Sequence, residues 1–189
     1  MSISALTAFT NSQVNWSAAE NLTGSNYPPL SNAGNFAKQI SITNTIANAS
    51  AGGGDVFASF LLIISSSSSS NVDLTSITNI LQQTGVTLAR VKSIVIRLLS
   101  TTDDPVNGTA ASSIIVGNNG SNDWISQAGA GWFTTAGSEL TIPNGGVVLF
   151  GTPSAAGVLV DSTHKIIKIA NSDGALNAAV QVTLLAATT

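Results

Sequence analysis

An all-β fold is what this sequence predicts: a single antiparallel β-sandwich, jelly-roll-like, with an extended N-terminal arm and at most one short helix. Three observations carry that reading. Apolar and polar residues alternate with a period of two along several short segments. Gly, Asn and Pro clusters separate those segments at spacings too short for helical crossovers. The chain of 189 residues is 43% hydrophobic but only 8% charged, against about 25% charged in an ordinary soluble domain. Ser, Thr and Asn stand where charge would be, and a chain so neutral is not the highly charged kind that stays unfolded.

Residues 1–35 are polar and broken by Gly24, Pro28, Pro29 and Gly34, with Trp16 and Tyr27 as isolated aromatics. They read as an extended arm, and residues 36–189 as the sandwich domain. Trp16 and Tyr27 either pack back onto their own domain or dock on a neighbouring subunit. From Phe36 the period is two. Ile40, Ile42 and Ile46 alternate with polar residues, as in a half-buried strand. Val56–Ile64 is apolar on both faces, which predicts a central strand between two layers. Val91–Leu99 puts Ile94, Ile96 and Leu98 on one face, with Val95 and Arg97 on the other. Strands follow at Ile114–Val116, Leu140–Ile142, Val147–Phe150, Lys165–Ala170 and Val180–Leu184. The predicted core comprises Ile42, Phe60, Leu62, Ile94, Ile96, Leu149, Ile167, Ile169, Val180 and Val182.

Gly52–Gly54, Asp104–Pro105, Asn107–Gly108, Asn119–Gly120 and Asn144–Gly146 supply the turns. The one helix is expected near Asp73–Gln83, capped by Asp73 and ended by Gly85, with Leu74, Ile77, Ile80 and Leu81 at helical spacing. The serine run Ser65–Ser70 reads as a solvated loop, or as a strand whose hydroxyls face a partner.

Chemistry is hard to find. Cysteine is absent, which removes disulfides, zinc–thiolate sites and thiol nucleophiles. The first residues lack a basic region and a long apolar run, so no secretory signal is read there. The longest apolar run, Phe60–Ile64, is far short of the ~20 residues a membrane helix needs. The sequons at Asn15, Asn21, Asn48, Asn107 and Asn119 are chance products of an Asn/Ser/Thr-rich chain. A net charge of −3 and six scattered basic residues argue against nucleic acid. His164 lies in Asp161-Ser162-Thr163-His164-Lys165, side by side with its would-be partners, which is not how a triad is built. Asp103, Asp104 and Asn107 could offer oxygens to calcium, but TTDDPVNG is an ordinary polar turn. Glu20 and Glu139 are the only glutamates, and nothing places them together as a glycosidase would require. No catalytic, cofactor or metal residue is therefore assigned. Trp124 and Trp132 flank a loop of small residues. They either fill an end of the sandwich or, exposed, stack on sugars or anchor an interface.

The order of segments from residue 72 onward carries a resemblance. VDLTSITNIL (72–81) is followed by GVTLARVKSIVIRLLS (85–100), SSIIVGNNGSNDW (112–124), IPNGGVVLFGTPSAAG (142–157), HKIIKIANS (164–172) and VQVTLLAAT (180–188). This resembles small virion structural proteins of tailed bacteriophages, of the β-sandwich kind that decorate or cement heads. The resemblance covers roughly two thirds of the chain, and its motifs are turns and strands without catalytic residues. It implies a non-enzymatic protein on the capsid surface, made in the host cytoplasm, with the major capsid protein and further copies of itself as partners, a trimer in preference to a dimer. It implies no cofactor, nucleic acid or membrane. Trp16, Tyr27, Trp124 and Trp132 are then the candidate interface residues, with the arm as a clamp on neighbouring subunits. A carbohydrate-binding or adhesive module built on a similar sandwich is the alternative, using the tryptophan loop.

Overall fold

The structure, a computed structural model, describes residues 56–79, 82–100, 111–126, 132–133, 135, 137–152 and 157–188, and the backbone of 8–18 and 36–46. Among these residues it is all-β, with no helix. Two strands, β1 (Ala8–Ala18) and β2 (Phe36–Ile46), form a two-stranded sheet of their own. The strand expected from Phe36 onward is thus present, but it pairs with a strand inside the expected arm and not within the sandwich sheets. Ile42 falls on β2, and its side chain lies outside the described residues, as does that of Trp16 on β1.

The sandwich draws its strands from residue 56 onward. They are β3 (Val56–Ile64), β4 (Ser69–Asp73), β5 (Arg90–Leu98), β6 (Ser113–Gly117), β7 (Glu139–Pro143), β8 (Val147–Gly151), β9 (Val158–Leu159), β10 (Ile166–Asn171) and β11 (Ala178–Ala187). One sheet runs β4-β10-β6-β7 and the other β3-β11-β5-β8, with the short β9 also on β5. The antiparallel pairs β3–β11, β4–β10, β5–β8 and β6–β7 are nested, first with last and inward from there. A long hairpin rolled over on itself gives this order. Rolling then brings β11 against β5 and β10 against β6, which closes each sheet. This is the winding of a jelly roll.

Strand parity decides what is inside. On β11, Ala178, Val180, Val182, Leu184 and Ala186 point inward, and across the ladders they meet Ile96 and Ile94 of β5 and the even-numbered residues of β3. Ile167 and Ile169 of β10 and Ile114 and Val116 of β6 close the core from the other sheet. Of the predicted core, Ile94, Ile96, Ile167, Ile169, Val180 and Val182 are fully buried. Phe60 and Leu62 face inward but are only half-buried. Leu149 does not belong to the core. Val148 pairs with Ile96 and Phe150 with Ile94, so Leu149 turns to the outer face.

Residues 73–88 correct the expected helix. The Asp73 carboxylate does accept the Thr75 N–H at 2.9 Å and the Thr75 hydroxyl. Instead of a helix, the chain makes a narrow excursion. Ile77 and Val86 exchange both backbone bonds, Leu88 N–H donates to the Leu74 carbonyl, and Asn79 and Gln83 close the tip through backbone and side-chain bonds. Thr75, Ser76, Ile77 and Thr78 are poor helix formers in a row, while Leu74, Ile77 and Leu88 find burial in this form too. The apolar spacing served a two-legged loop as well as it would have served a helix. Ile80 and Leu81 lie outside the described residues. Of the serine run, read as a solvated loop or as a strand, Ser65–Ser68 form a turn and Ser69 and Ser70 already belong to β4.

The turn between β7 and β8 is the one the sequence marked. Gly146 N–H donates to the Pro143 carbonyl at 2.8 Å, and Gly145 sits at φ +71°. A Cβ at Gly146 would stand 2.7 Å from that carbonyl oxygen, so only glycine fits. The turn carries the chain from one sheet to the other.

Every sheet strand of the sandwich lies between Val56 and Ala187. A fragment starting at residue 47 is therefore expected to fold alone, with a β-type far-ultraviolet dichroism spectrum and cooperative thermal unfolding. A fragment lacking cooperative unfolding would show that residues 1–46 complete the domain.

Candidate functional site

The two long sides of the sandwich are finished differently. At the β7/β8 side the connection from β6 folds back as a plug. Trp124 N–H donates to the Ile166 carbonyl, and Asn122 O accepts from Lys165 and Ile166. Asp123 braces the bend by accepting from the Asn119 and Ile125 amides. These bonds hold Trp124 at 0% exposure, with its Nε1–H donating to the Leu159 carbonyl at 2.8 Å. Trp132 meets Trp124 edge-on at 4.7 Å and stacks on Phe150 at 4.8 Å, and Phe133 meets Phe150 edge-on at 6.0 Å. Both tryptophans thus pack into the sandwich, at its β7/β8 side, and do not stand free on a loop. Trp132 keeps part of its ring at the surface.

The β3/β4 side carries no such plug among the described residues. A cavity of about 260 Å³ opens there, lined by Phe60 and Leu62 of β3, Asn71, Val72 and Asp73 of β4, and Ser76, Ile77 and Thr78 of the following loop. This is why Phe60 and Leu62 are only half-buried. β3 and β4 are both edge strands. The expectation that Val56–Ile64 is a central strand is thus corrected: it is an edge, and on its outer face Leu61 is 39% and Ile63 44% exposed. Among the described residues Asp73 is the one carboxylate on this cavity. Partial burial pushes its pKa up, but the Thr75 bonds and Lys165 at 3.9 Å outweigh that and hold it below the ordinary value. The lining mixes apolar and hydrogen-bonding side chains.

The other sequence candidates are dispersed. Tyr27, Glu20, Asp103, Asp104 and Asn107 lie outside the described residues. Glu139 accepts from the Asn118 amide at 2.6 Å on the opposite side of the fold from Asp73. Among the described residues no three His, Asp or Glu side chains are grouped as for a metal ion. Asp161 and His164 do meet, at 3.2 Å through Nδ1, but in an Asx turn in which Asp161 Oδ1 also accepts the Thr163 and His164 amides and the Thr163 hydroxyl. Lys92, one of the six scattered basic residues, lies on β5. It sits at an irregularity in the β5–β11 ladder with 1% exposure, and burial and then Arg90 lower its pKa.

Asp161 and Asp173 are both held at about 2, against an ordinary 3.8. For Asp161 the Thr163 hydroxyl is the main cause. For Asp173 it is the Ala175 amide, followed by those of Ser112 and Leu176. A carboxylate whose folded pKa is depressed adds stability that is complete above its unfolded pKa and lost as pH falls through the folded one. The thermal midpoint is therefore expected to hold down to about pH 5 and to fall between there and about pH 2. Asp173→Asn should lower the midpoint at neutral pH and flatten that acid slope. An acid slope unchanged in this variant would remove Asp173 from the account.

Comparison with protein-family models, with curated proteins and with solved structures found no match.

Proposed function

We propose that this chain is a structural virion protein that decorates or cements a capsid surface by bridging major capsid subunits. The observation that carries the reading is the jelly-roll winding, an architecture used by viral capsid domains as well as by lectins. The segments that resemble phage head proteins fall on its framework: 142–157 includes the β7–β8 turn and β8, 164–172 contains β10, and 180–188 covers most of β11. A second support is the scarcity of charge. Burying a large surface against a shell costs several kcal/mol for each ion desolvated, and a surface rich in Ser, Thr and Asn avoids that. The chain is not an enzyme on this reading. Of the two tryptophans that the glycan-binding alternative would use, Trp124 is spent on packing and Trp132 gives one face to Phe150 and keeps part of its ring at the surface.

The test is biochemical. Purified particles should contain the chain in a fixed, repeated number of copies relative to the major capsid protein, and particles stripped of it should rebind it and gain resistance to heat or low salt. A chain absent from particles that instead binds glycans as a free protein would replace this reading with the alternative.

A further inference from the structure

Natural sheets blunt their edges by keeping them short or by placing Lys, Pro or a bulge there. Three of the four outer strands here obey. β4 has five residues, mostly Ser, Asn and Asp. β7 has five, beginning with Glu139 and ending with Pro143. β8 also has five. β3 has nine residues, VFASFLLII, with no charge, no Pro and no register shift against β11. Its other edge pairs with none of the described strands. Among the described residues the sandwich is open beside that edge, with Phe60 and Leu62 at the cavity on one face and Leu61 and Ile63 exposed on the other.

The sequence of β3 is compatible with itself in one antiparallel register. About a twofold axis at Phe60, Val56 faces Ile64 of the second copy, Phe57 faces Ile63, Ala58 faces Leu62 and Ser59 faces Leu61. Each pair joins residues of the same face, so inward residues meet inward ones and the two cores become neighbours across a continuous sheet. The most exposed apolar residue of the strand, Ile63, is covered by Phe57, and no charge is desolvated anywhere along the edge. We propose that β3 is a self-association edge, pairing antiparallel with β3 of a second copy of this chain about a twofold axis at Phe60. This rests on the sandwich alone and stands or falls independently of the virion reading.

The area sets the expected strength. Nine residues give about 30 Å of edge, and with side chains on both faces about 300 Å² per copy, before the cavity lining is added. A stable free complex buries about 800 Å² per partner. The dimer is therefore weak, with a dissociation constant in the range of about 10 µM to 1 mM, and fills up where copies are held close together.

The experiment is light scattering of the purified chain from about 5 µM to about 500 µM, where the mean mass should rise from monomer toward dimer. Leu61→Lys, on the outer face and away from the core, should leave the thermal midpoint in place and weaken association about tenfold or more, since a lysine on an edge is the device nature uses to prevent pairing. Because the chain has no cysteine, the register can be read directly. In Ser59→Cys/Leu61→Cys the two sites face each other across copies at a Cα separation of about 5 Å, within disulfide reach. Mild oxidation should give a covalent dimer, and neither single variant should. A chain that stays monomeric at the highest concentration and does not cross-link overturns the proposal. So does a dimer indifferent to Leu61→Lys, which would use another surface. Should Leu61→Lys fail to fold, the cross-linking pattern decides alone.

Discussion

Replacing Trp124 with alanine should cost about 3–5 kcal/mol of unfolding free energy, the range for truncating a large buried aromatic. Three losses combine. The ring is fully buried, so its removal leaves a void inside the plug at the β7/β8 side. The edge-on contact with Trp132 at 4.7 Å disappears, and with it the support that presses Trp132 onto Phe150. The hydrogen bond from Nε1–H to the Leu159 carbonyl at 2.8 Å is lost as well. Domains of this size are stable by about 5–15 kcal/mol in total, so the loss is a large share of the whole. Trp124→Phe separates the terms, because it keeps most of the packing and loses only the N–H, with an expected cost of about 1–2 kcal/mol. Urea unfolding with unchanged slope measures both. A Trp124→Ala cost below about 1 kcal/mol would mean that the loop collapses into the void and that the plug is not cooperative with the sheets.

The same tryptophan shows what the sequence could and could not disclose. Two aromatics around a run of small residues are visible at once, but whether they point in or out depends on the Leu159 carbonyl and on Phe150, residues 35 and 26 positions away from Trp124. Alternation was legible wherever a strand has one wet face, and β5, β6, β7, β8, β10 and β11 lie within a few residues of where the pattern puts them. It failed in three physical situations. β4 contributes one buried apolar side chain, Val72, between polar neighbours, which is too little for a period. Leu149 lies in VVLF, an apolar run without alternation, so its face is set by pairing with β5 and not by pattern. In β3, hydrophobicity on both faces suggested a strand covered on both sides, whereas the ladder places it at an edge. Position in a sheet is a property of long-range pairing, and nothing local in VFASFLLII encodes it. The open cavity beside β3 was illegible for the same reason, since it is made by two edges brought together by the roll of the whole chain.

Asn171 is the second position where a single change should be costly. It continues the inward row of Ile167 and Ile169 on β10, yet it is polar and only 2% exposed. Its Nδ2 donates to the carbonyls of Ile64, Ser65 and Leu176 at 3.1, 3.2 and 2.8 Å, and its Oδ1 accepts the Asp173 amide at 3.0 Å. One side chain thus ties the end of β3, in one sheet, to β10 in the other and to the turn that enters β11. Asn171→Leu keeps the volume but leaves these groups without their partner inside the fold, at about 1–3 kcal/mol for each that water cannot reach, so a loss of about 3 kcal/mol or more is expected. Asn171→Asp is the sharper variant. At neutral pH it sets a carboxylate against three carbonyl oxygens, which favours the protonated acid and raises its folded pKa above the unfolded value. The unfolded state then binds fewer protons than the folded one, so stability falls as pH rises. Between pH 7 and pH 5 the thermal midpoint of Asn171→Asp should climb on acidification, while that of the wild type stays level until the Asp161 and Asp173 carboxylates begin to protonate. Parallel midpoint curves for the two proteins across that window would show that residue 171 is reached by water, and that the junction between the sheets is held by the backbone ladders alone.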